Sequence, residues 1–276
     1  MDTDNTITVE MMIELEEIDI NLYRSVTLWK PLHARGVFGG QVIGQSLNAA
    51  MRTVKRLRDG NSYCTRLVIA KQRGRAIYTC ELSFHRSEPS IISHQKEMPK
   101  VPPPHECFDR KEEFLKLLND SKTPDKYKRI IEEQITQYSS FEVRVLERMK
   151  LEDWTNPMKK PAKKHLWIKI PKKLSSFPRI HQSVAAFVTD FSLLGTAMLP
   201  HGITFLSPKL RMLATIDHSV WFHEPFRVDE WFLYEMESPQ AGSSRGFSTG
   251  RIFTQEGKMV LSCAQEGVFR VIFKRK

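Results

Sequence analysis

Two stretches of this chain are apolar nearly all round at helical spacing, which marks helices buried on every side rather than laid on a surface. The first, residues 41–54, carries Val42, Ile43, Leu47, Ala49, Ala50, Met51 and Val54 behind the glycine-rich turn Arg35-Gly36-Val37-Phe38-Gly39-Gly40-Gln41. Gly40 and Gly44, four apart, predict the close approach of a sheet or a second helix. The second stretch, residues 183–198, has the same character, interrupted by Asp190. Strict alternation follows in residues 76–84, where Ala76, Tyr78, Cys80, Leu82 and Phe84 alternate with Ile77, Thr79, Glu81 and Ser83. With residues 63–72 and the turn Arg73-Gly74, this run predicts a hairpin.

The remaining stretches are less regular. Residues 7–18 have mixed helical spacing, and residues 22–28 suit a strand. Pro-Lys-Val-Pro-Pro-Pro at 99–104 breaks regular structure. Residues 109–151 are charged and helical in pattern, a solvated connector, and Pro157, Pro161 and Pro171 punctuate the entry to a second unit.

That second unit repeats the first. Aligning Gly74 with Gly257 pairs Gln72 with Gln255, Arg75 with Lys258, Ile77 with Val260, Thr79 with Ser262 and Cys80 with Cys263. Each hairpin lies downstream of one of the two apolar helices, so the pattern predicts a duplicated α+β domain. The spacing is unequal: 20 residues lead from Val54 to Gly74, and 59 lead from Met198 to Gly257. The longer interval holds two further strand-like runs, 213–222 and 231–237. The N-terminal unit therefore lacks two strands.

Composition bounds the rest. The chain has 276 residues, 41% apolar and 27% charged, enough for one large domain or two of roughly 100–150 residues. Disorder is excluded by the apolar content. No apolar run reaches the ~18–20 residues of a membrane span, and Met1-Asp2-Thr3-Asp4 lacks the basic and apolar regions of a secretory signal. A soluble intracellular protein is expected. Cys64, Cys80, Cys107 and Cys263 form no C-x-x-C pair, which leaves structural thiols rather than a disulfide framework or a zinc site. Of the excess basic charge, +10 in all, a concentrated part lies at Lys159, Lys160, Lys163, Lys164, Lys169, Lys172 and Lys173. Such a cluster can hold phosphates, but a solvated linker is the favoured reading, and no nucleic-acid motif accompanies it.

Candidate chemistry narrows quickly. Gly242-Ser243-Ser244-Arg245-Gly246 fits G-x-S-x-G, yet the residues after it read as strand and the last histidine, His223, lies upstream; a turn is the better reading. His218 and His223, five apart on a strand, point to opposite faces and find no third metal ligand. Gly39-Gly40-Gln41 before a helix lacks the companions of a nucleotide-binding loop. Three polar residues do break apolar patterns: Asp190 in the second helix, Thr215 in a strand, and Gln265 in the last hairpin. They could satisfy one another's hydrogen bonds as core polar groups. An acid with two neutral partners could equally orient and activate a water, with Asp190 as general base.

From about Leu15 to Arg270 the chain resembles the acyl-CoA thioesterase II family. Five ordered motifs carry the resemblance. They are Gly39-Gly40-Gln41-Val42-Ile43-Gly44-Gln45, His94-Gln95-Lys96-Glu97-Met98-Pro99, Asp217-His218-Ser219-Val220-Trp221-Phe222-His223, Ser243-Ser244-Arg245-Gly246 and Ala264-Gln265-Glu266-Gly267-Val268. The resemblance implies a double-hotdog fold of class α+β, with two tandem units at 1–104 and 165–276 around a connector at 105–164. It also implies a catalytic set of Asp190, Thr215 and Gln265 holding the water that attacks the thioester. Fatty acid and coenzyme A are the implied products, with no metal or cofactor, no nucleic acid and no membrane span, and a homo-oligomer is expected. Eukaryotic members are commonly peroxisomal and end in a Ser-Lys-Leu-type signal, whereas this chain ends Phe273-Lys274-Arg275-Lys276, which makes the cytoplasm the alternative. The competing function is that of an impaired paralogue or isoform, which binds acyl-CoA or modulates a full-length partner. The missing strands favour it, and the intact set of three opposes it.

Overall fold

A computed structural model describes residues 8–30, 36–53, 58–59, 63–137, 139–205, 207 and 209–272. The chain start, Arg35, Val54, the 60–62 part of the segment after the first helix and the last four residues lie outside this set. In chain order the elements are α1 (Val9–Ile13), β1 (Leu15–Asp19), β2 (Leu22–Ser25), α2 (Gly39–Arg52), β3 (Arg58–Asp59), β4 (Tyr63–Gln72) and β5 (Arg75–His85). Then come β6 (Phe108–Asp109), α3 (Arg110–Asn119), α4 (Asp125–Gln137), β7 (Glu142–Val145), α5 (Glu152–Thr155) and β8 (Lys163–Lys169). Last are α6 (Pro178–Val188), α7 (Leu193–Thr196), β9 (Leu210–Phe222), β10 (Phe232–Gly242), β11 (Arg245–Thr254) and β12 (Met259–Val271). The chain divides into two compact units, residues 1–95 with 174–188, and residues 96–173 with 189–276.

In the first unit α2 packs on α6, the second helix that Gly40 and Gly44 anticipate. A Cβ on Gly44 would stand 2.7 Å from the Ser183 carbonyl oxygen, and one on Gly40 would collide with that of Phe187. Trp29, Phe38 and Phe187 close the contact, their centroids 5.0 Å (Trp29–Phe38), 5.2 Å (Phe38–Phe187) and 5.9 Å (Trp29–Phe187) apart. The helix is less uniformly apolar than its pattern suggests. Gln41, Gln45 and Asn48, spaced i, i+4 and i+7 on one face, are all buried. Gln41 Nε2 donates to the Met12 and Thr27 carbonyls at 2.9 and 2.8 Å, while its Oε1 accepts from the Trp29 amide at 2.7 Å. Gln45 Oε1 accepts from Ser25, and Asn48 Nδ2 donates to the Ile13 carbonyl, each at 2.7 Å. These amides satisfy backbone groups that would otherwise be buried unpaired, at ~1–3 kcal/mol each.

Among the described residues this unit holds the pair β1-β2 and a three-stranded sheet, β3-β4-β5, short as the spacing predicts. Leu67, Ile69 and Ile77 on it stay exposed. Two expectations are corrected nearby. Of the stretch 7–18 the described residues, 8–18, form only α1 before turning into β1, and the strand expected over 22–28 stops at Ser25.

In the second unit a seven-stranded antiparallel sheet runs in the order β6-β7-β8-β10-β11-β12-β9. Its β6 and β7 come from the stretch read as a solvated helical connector, which corrects that reading. The helices of that stretch have a core of their own, in which Phe114, Leu117, Tyr127, Ile131 and Trp154 are buried together. Nor is the lysine-rich segment a linker: Lys163–Lys169 is strand β8, with Leu166, Trp167 and Ile168 buried. Much of its charge is met locally, Lys160 by Asp153 at 3.1 Å and Lys169 by Glu142 at 3.1 Å. The extended Pro-rich run crosses the sheet, fastened by Trp167 Nε1 donating 2.9 Å to the Pro102 carbonyl and by Lys96 paired with buried Glu235 at 3.3 Å.

The apolar stretch 183–198 is not one helix. It breaks after Val188, and α7 resumes from Ser192, whose φ of 61° is left-handed. Pro178–His201 as a whole is long and apolar enough to cross a membrane by length and composition, but 72% of its apolar window is buried, as in a core helix. The serines of the G-x-S-x-G match turn between β10 and β11, with φ of 49° at Ser243 and 60° at Ser244. Two consecutive left-handed residues suit a tight hairpin whose strands twist right-handedly.

Candidate active site

The second unit brings Asp190, Thr215 and Gln265 together. Asp190 lies in the turn between α6 and α7. Gln265 and Thr215 belong to neighbouring strands β12 and β9. Along β9 the register slips by one: Thr215 opposes Gly267, Asp217 opposes Glu266 and His218 opposes Gln265, with Ile216 as the extra residue. Directly opposed residues share a sheet face, and so do residues two apart on one strand. The bulge therefore turns Thr215 and His218, three apart, onto the face that Gln265 occupies.

Gln265 is fully buried. Its Nε2 donates to Asp190 Oδ1 at 2.6 Å and to Thr215 Oγ1 at 2.7 Å. An ionised carboxylate can only accept, which fixes the amide end facing it. Both amide protons are thereby committed. Thr215, exposed on the sheet, accepts from Gln265 and keeps its own hydroxyl proton to donate. Gln265 Oε1 is buried with no protein partner among the described residues, so an acceptor stands beside the oxygens of Asp190 and Thr215. Three oxygens around one amide can orient a water by its protons, and the carboxylate among them can take one.

Neighbouring groups leave that chemistry to Asp190. Burial pushes the Cys263 thiol up to about 12, which makes it a poor nucleophile. Cys107 is likewise raised by burial, in keeping with structural thiols. Burial lowers His218 to about 4, against the opposing pull of Asp217, so its imidazole is neutral near pH 7. No cluster of three metal-ligating side chains occurs among the described residues. His218 Nε2 lies 2.8 Å from Thr189 Oγ1, and His223 Nε2 lies 2.8 Å from Ser262 Oγ; each histidine hydrogen-bonds within the fold.

The family model for acyl-CoA thioesterase matches residues 139–268. The mouse protein named acyl-coenzyme A thioesterase 8 is 35% identical over 96% of this chain and 90% of its own length. The chain belongs to the acyl-CoA thioesterase family. Its fold is similar to that of the acyl-CoA thioesterase II TesB2 from Mycobacterium marinum, with a TM-score of 0.72 and 30% identity over 97% of this chain and all of that one. A more distant relative in Saccharomyces cerevisiae, 22% identical over 86% of both chains, is named a peroxisomal acyl-coenzyme A thioester hydrolase. The architecture is the double hotdog, class α+β.

Sequence patterning reaches Asp190, Thr215 and Gln265 because each is polar within an apolar run. It passes over Thr189 and Tyr234, which hydrogen-bond to one another beside Asp190. Thr189 directly precedes Asp190, and that adjacency was the available signal. His218 is weighed in sequence as a metal ligand or as a strand residue that packs or hydrogen-bonds, and Thr189 as its partner becomes visible only when the bulge is known.

Proposed function

We propose that this protein hydrolyses fatty acyl-CoA to free fatty acid and coenzyme A, with Asp190 as general base. The observation that carries the reading is the double donation of Gln265 Nε2 to Asp190 and Thr215. It holds a carboxylate and a hydroxyl at fixed separation beside an unspent acceptor. A water held there attacks the thioester carbonyl carbon as its proton passes to the Asp190 carboxylate. The tetrahedral intermediate then expels the sulfur, and the proton on Asp190 returns to the leaving thiolate. The Thr215 hydroxyl proton steadies the attacking oxygen. Neither metal nor cofactor enters this sequence.

The test is thiol release from palmitoyl-CoA by the purified chain and by Asp190→Asn. The expected loss is ~100- to 10,000-fold, the range for a positioned acid–base group, with an unchanged melting temperature. Equal rates would overturn the role of Asp190.

The three-stranded first sheet favours a second reading: a chain that binds acyl-CoA or modulates a full-length partner without turnover. A well-folded wild-type chain that retains palmitoyl-CoA and releases no thiol would establish it. We further infer that the chain self-associates, a reading supported by the exposed Leu67, Ile69 and Ile77, with sizing by light scattering as its test. The name of the yeast relative supports the peroxisomal matrix as its compartment, with the cytoplasm as the alternative that fluorescence imaging separates.

A further inference from the structure

Asp190 stands in the turn between α6 and α7, and its carboxylate must be placed to within a fraction of an ångström to act. The residue before it is held at both ends. The Thr189 carbonyl, which shares a peptide group with the Asp190 nitrogen, accepts from the Tyr234 hydroxyl at 2.6 Å. The Thr189 hydroxyl is paired with His218 Nε2 at 2.8 Å. Thr189 and Tyr234 are fully buried.

Both partners are themselves anchored. Tyr234 lies in the sheet interior on β10, its hydroxyl also 3.4 Å from Cys263 Sγ. Its ring passes over Gly250, where a Cβ would come within 2.6 Å of it; the strand keeps a glycine where the ring must pass. His218 is the residue opposite Gln265, turned to that face by the same bulge that places Thr215. One strand thus supplies a direct partner of Gln265 and a support for the segment bearing the carboxylate.

We propose that His218 and Tyr234 are positioning residues for the general base, clamping Thr189 so that Asp190 meets Gln265 in register. The proposal rests on the reading of Asp190 as base. A neutral imidazole suits the task, since it can hold the Thr189 hydroxyl without introducing a buried charge, and burial keeps His218 neutral.

The experiment measures kcat and KM for palmitoyl-CoA with Thr189→Val, Thr189→Ser, His218→Gln and Tyr234→Phe, beside Asp190→Asn and the control His223→Gln. Thr189→Val keeps the shape and removes the hydroxyl. It should lower kcat by ~10- to 100-fold, as for a misplaced reacting group, with KM little changed. Thr189→Ser should restore most of the rate, Tyr234→Phe should lower kcat alone, and His218→Gln, which can still reach the hydroxyl, should fall between. His223→Gln, whose bond to Ser262 lies outside the clamp, should match wild type. The clamp is overturned if Thr189→Val and Tyr234→Phe both turn over like wild type while Asp190→Asn is dead. It is also overturned if Thr189→Ser fails to rescue, or if each rate falls only in proportion to folded protein. Should Thr189→Val not fold, Thr189→Ser and His218→Gln carry the same test through kcat. Full activity in Asp190→Asn would instead remove the reading on which the clamp stands, a distinct outcome.

Discussion

The hairpins β4–β5 and β11–β12 are the same device with different neighbours. Each turns through a left-handed glycine, Gly74 with φ 77° and Gly257 with φ 86°, and each carries a cysteine at the matching position, Cys80 and Cys263. Beyond β12 lies β9, bulged at Ile216; β5 is the edge of its sheet. In the register that aligns the two glycines, Leu82 stands where Gln265 stands. Among the described residues the first unit thus has the hairpin without the amide, and without a bulged neighbour to oppose it. The chemistry requires the strand pair and not the hairpin alone, and only the second unit has that pair. The first unit spends its amides otherwise, Gln41, Gln45 and Asn48 tying segments 12–13 and 25–29 to α2.

Exchanging the two residues sharpens the comparison most. Gln265→Leu, which gives the second hairpin the residue of the first, should cut turnover by ~100-fold or more, comparable to loss of a preorganised donor. Leu82→Gln should restore nothing in that background. Rates of thiol release on folded protein check both, and a Gln265→Leu chain with wild-type turnover would confine Gln265 to packing.

A smaller effect is expected in the first unit. Gln41→Leu removes the acceptor of the Trp29 amide and leaves the Met12 and Thr27 carbonyls to the longer bonds from Gln45 Nε2, at 3.1 and 3.5 Å. Stability should fall by about 2–3 kcal/mol, as for buried groups left unsatisfied, in urea unfolding followed by tryptophan fluorescence. A change within a few tenths would show that the amide stripe is dispensable.

The last effect is a pH dependence from His218. Its folded pKa, about 4, lies below the unfolded value of ~6.5, so the unfolded chain binds the proton more readily. The stability from this group is therefore complete above pH 6.5 and is lost as pH falls from 6.5 towards 4. Thermal melts of wild type should drop over that window more steeply than those of His218→Gln. Parallel curves would mean that His218 titrates normally.

How much of this was legible in the sequence follows from what local pattern can encode. The hairpins, the glycine contact of α2 and the missing strands come from period and spacing, which neighbours along the chain suffice to set. The three polar residues are visible because an acid or amide among apolar residues must be partnered. Strands β6 and β7 were not legible: two and four residues long, they exist only through pairing, β7 with β8 and β6 with β7. The split between α6 and α7 hides because the apolar run resumes at Phe191 and Leu193 on either side of Ser192, and nothing in the pattern marks the left-handed backbone that Ser192 adopts. The bulge at Ile216 is a property of two strands in register, and neither strand alone reveals it.

The central claim is direct attack by water with Asp190 as base, and a single turnover in H2(18)O with enzyme in excess of palmitoyl-CoA tests it most directly. The account predicts one labelled oxygen in the first palmitate released and none in the protein. Unlabelled palmitate with the label on the Asp190 carboxylate would mean that Asp190 attacks the thioester itself, and would contradict it.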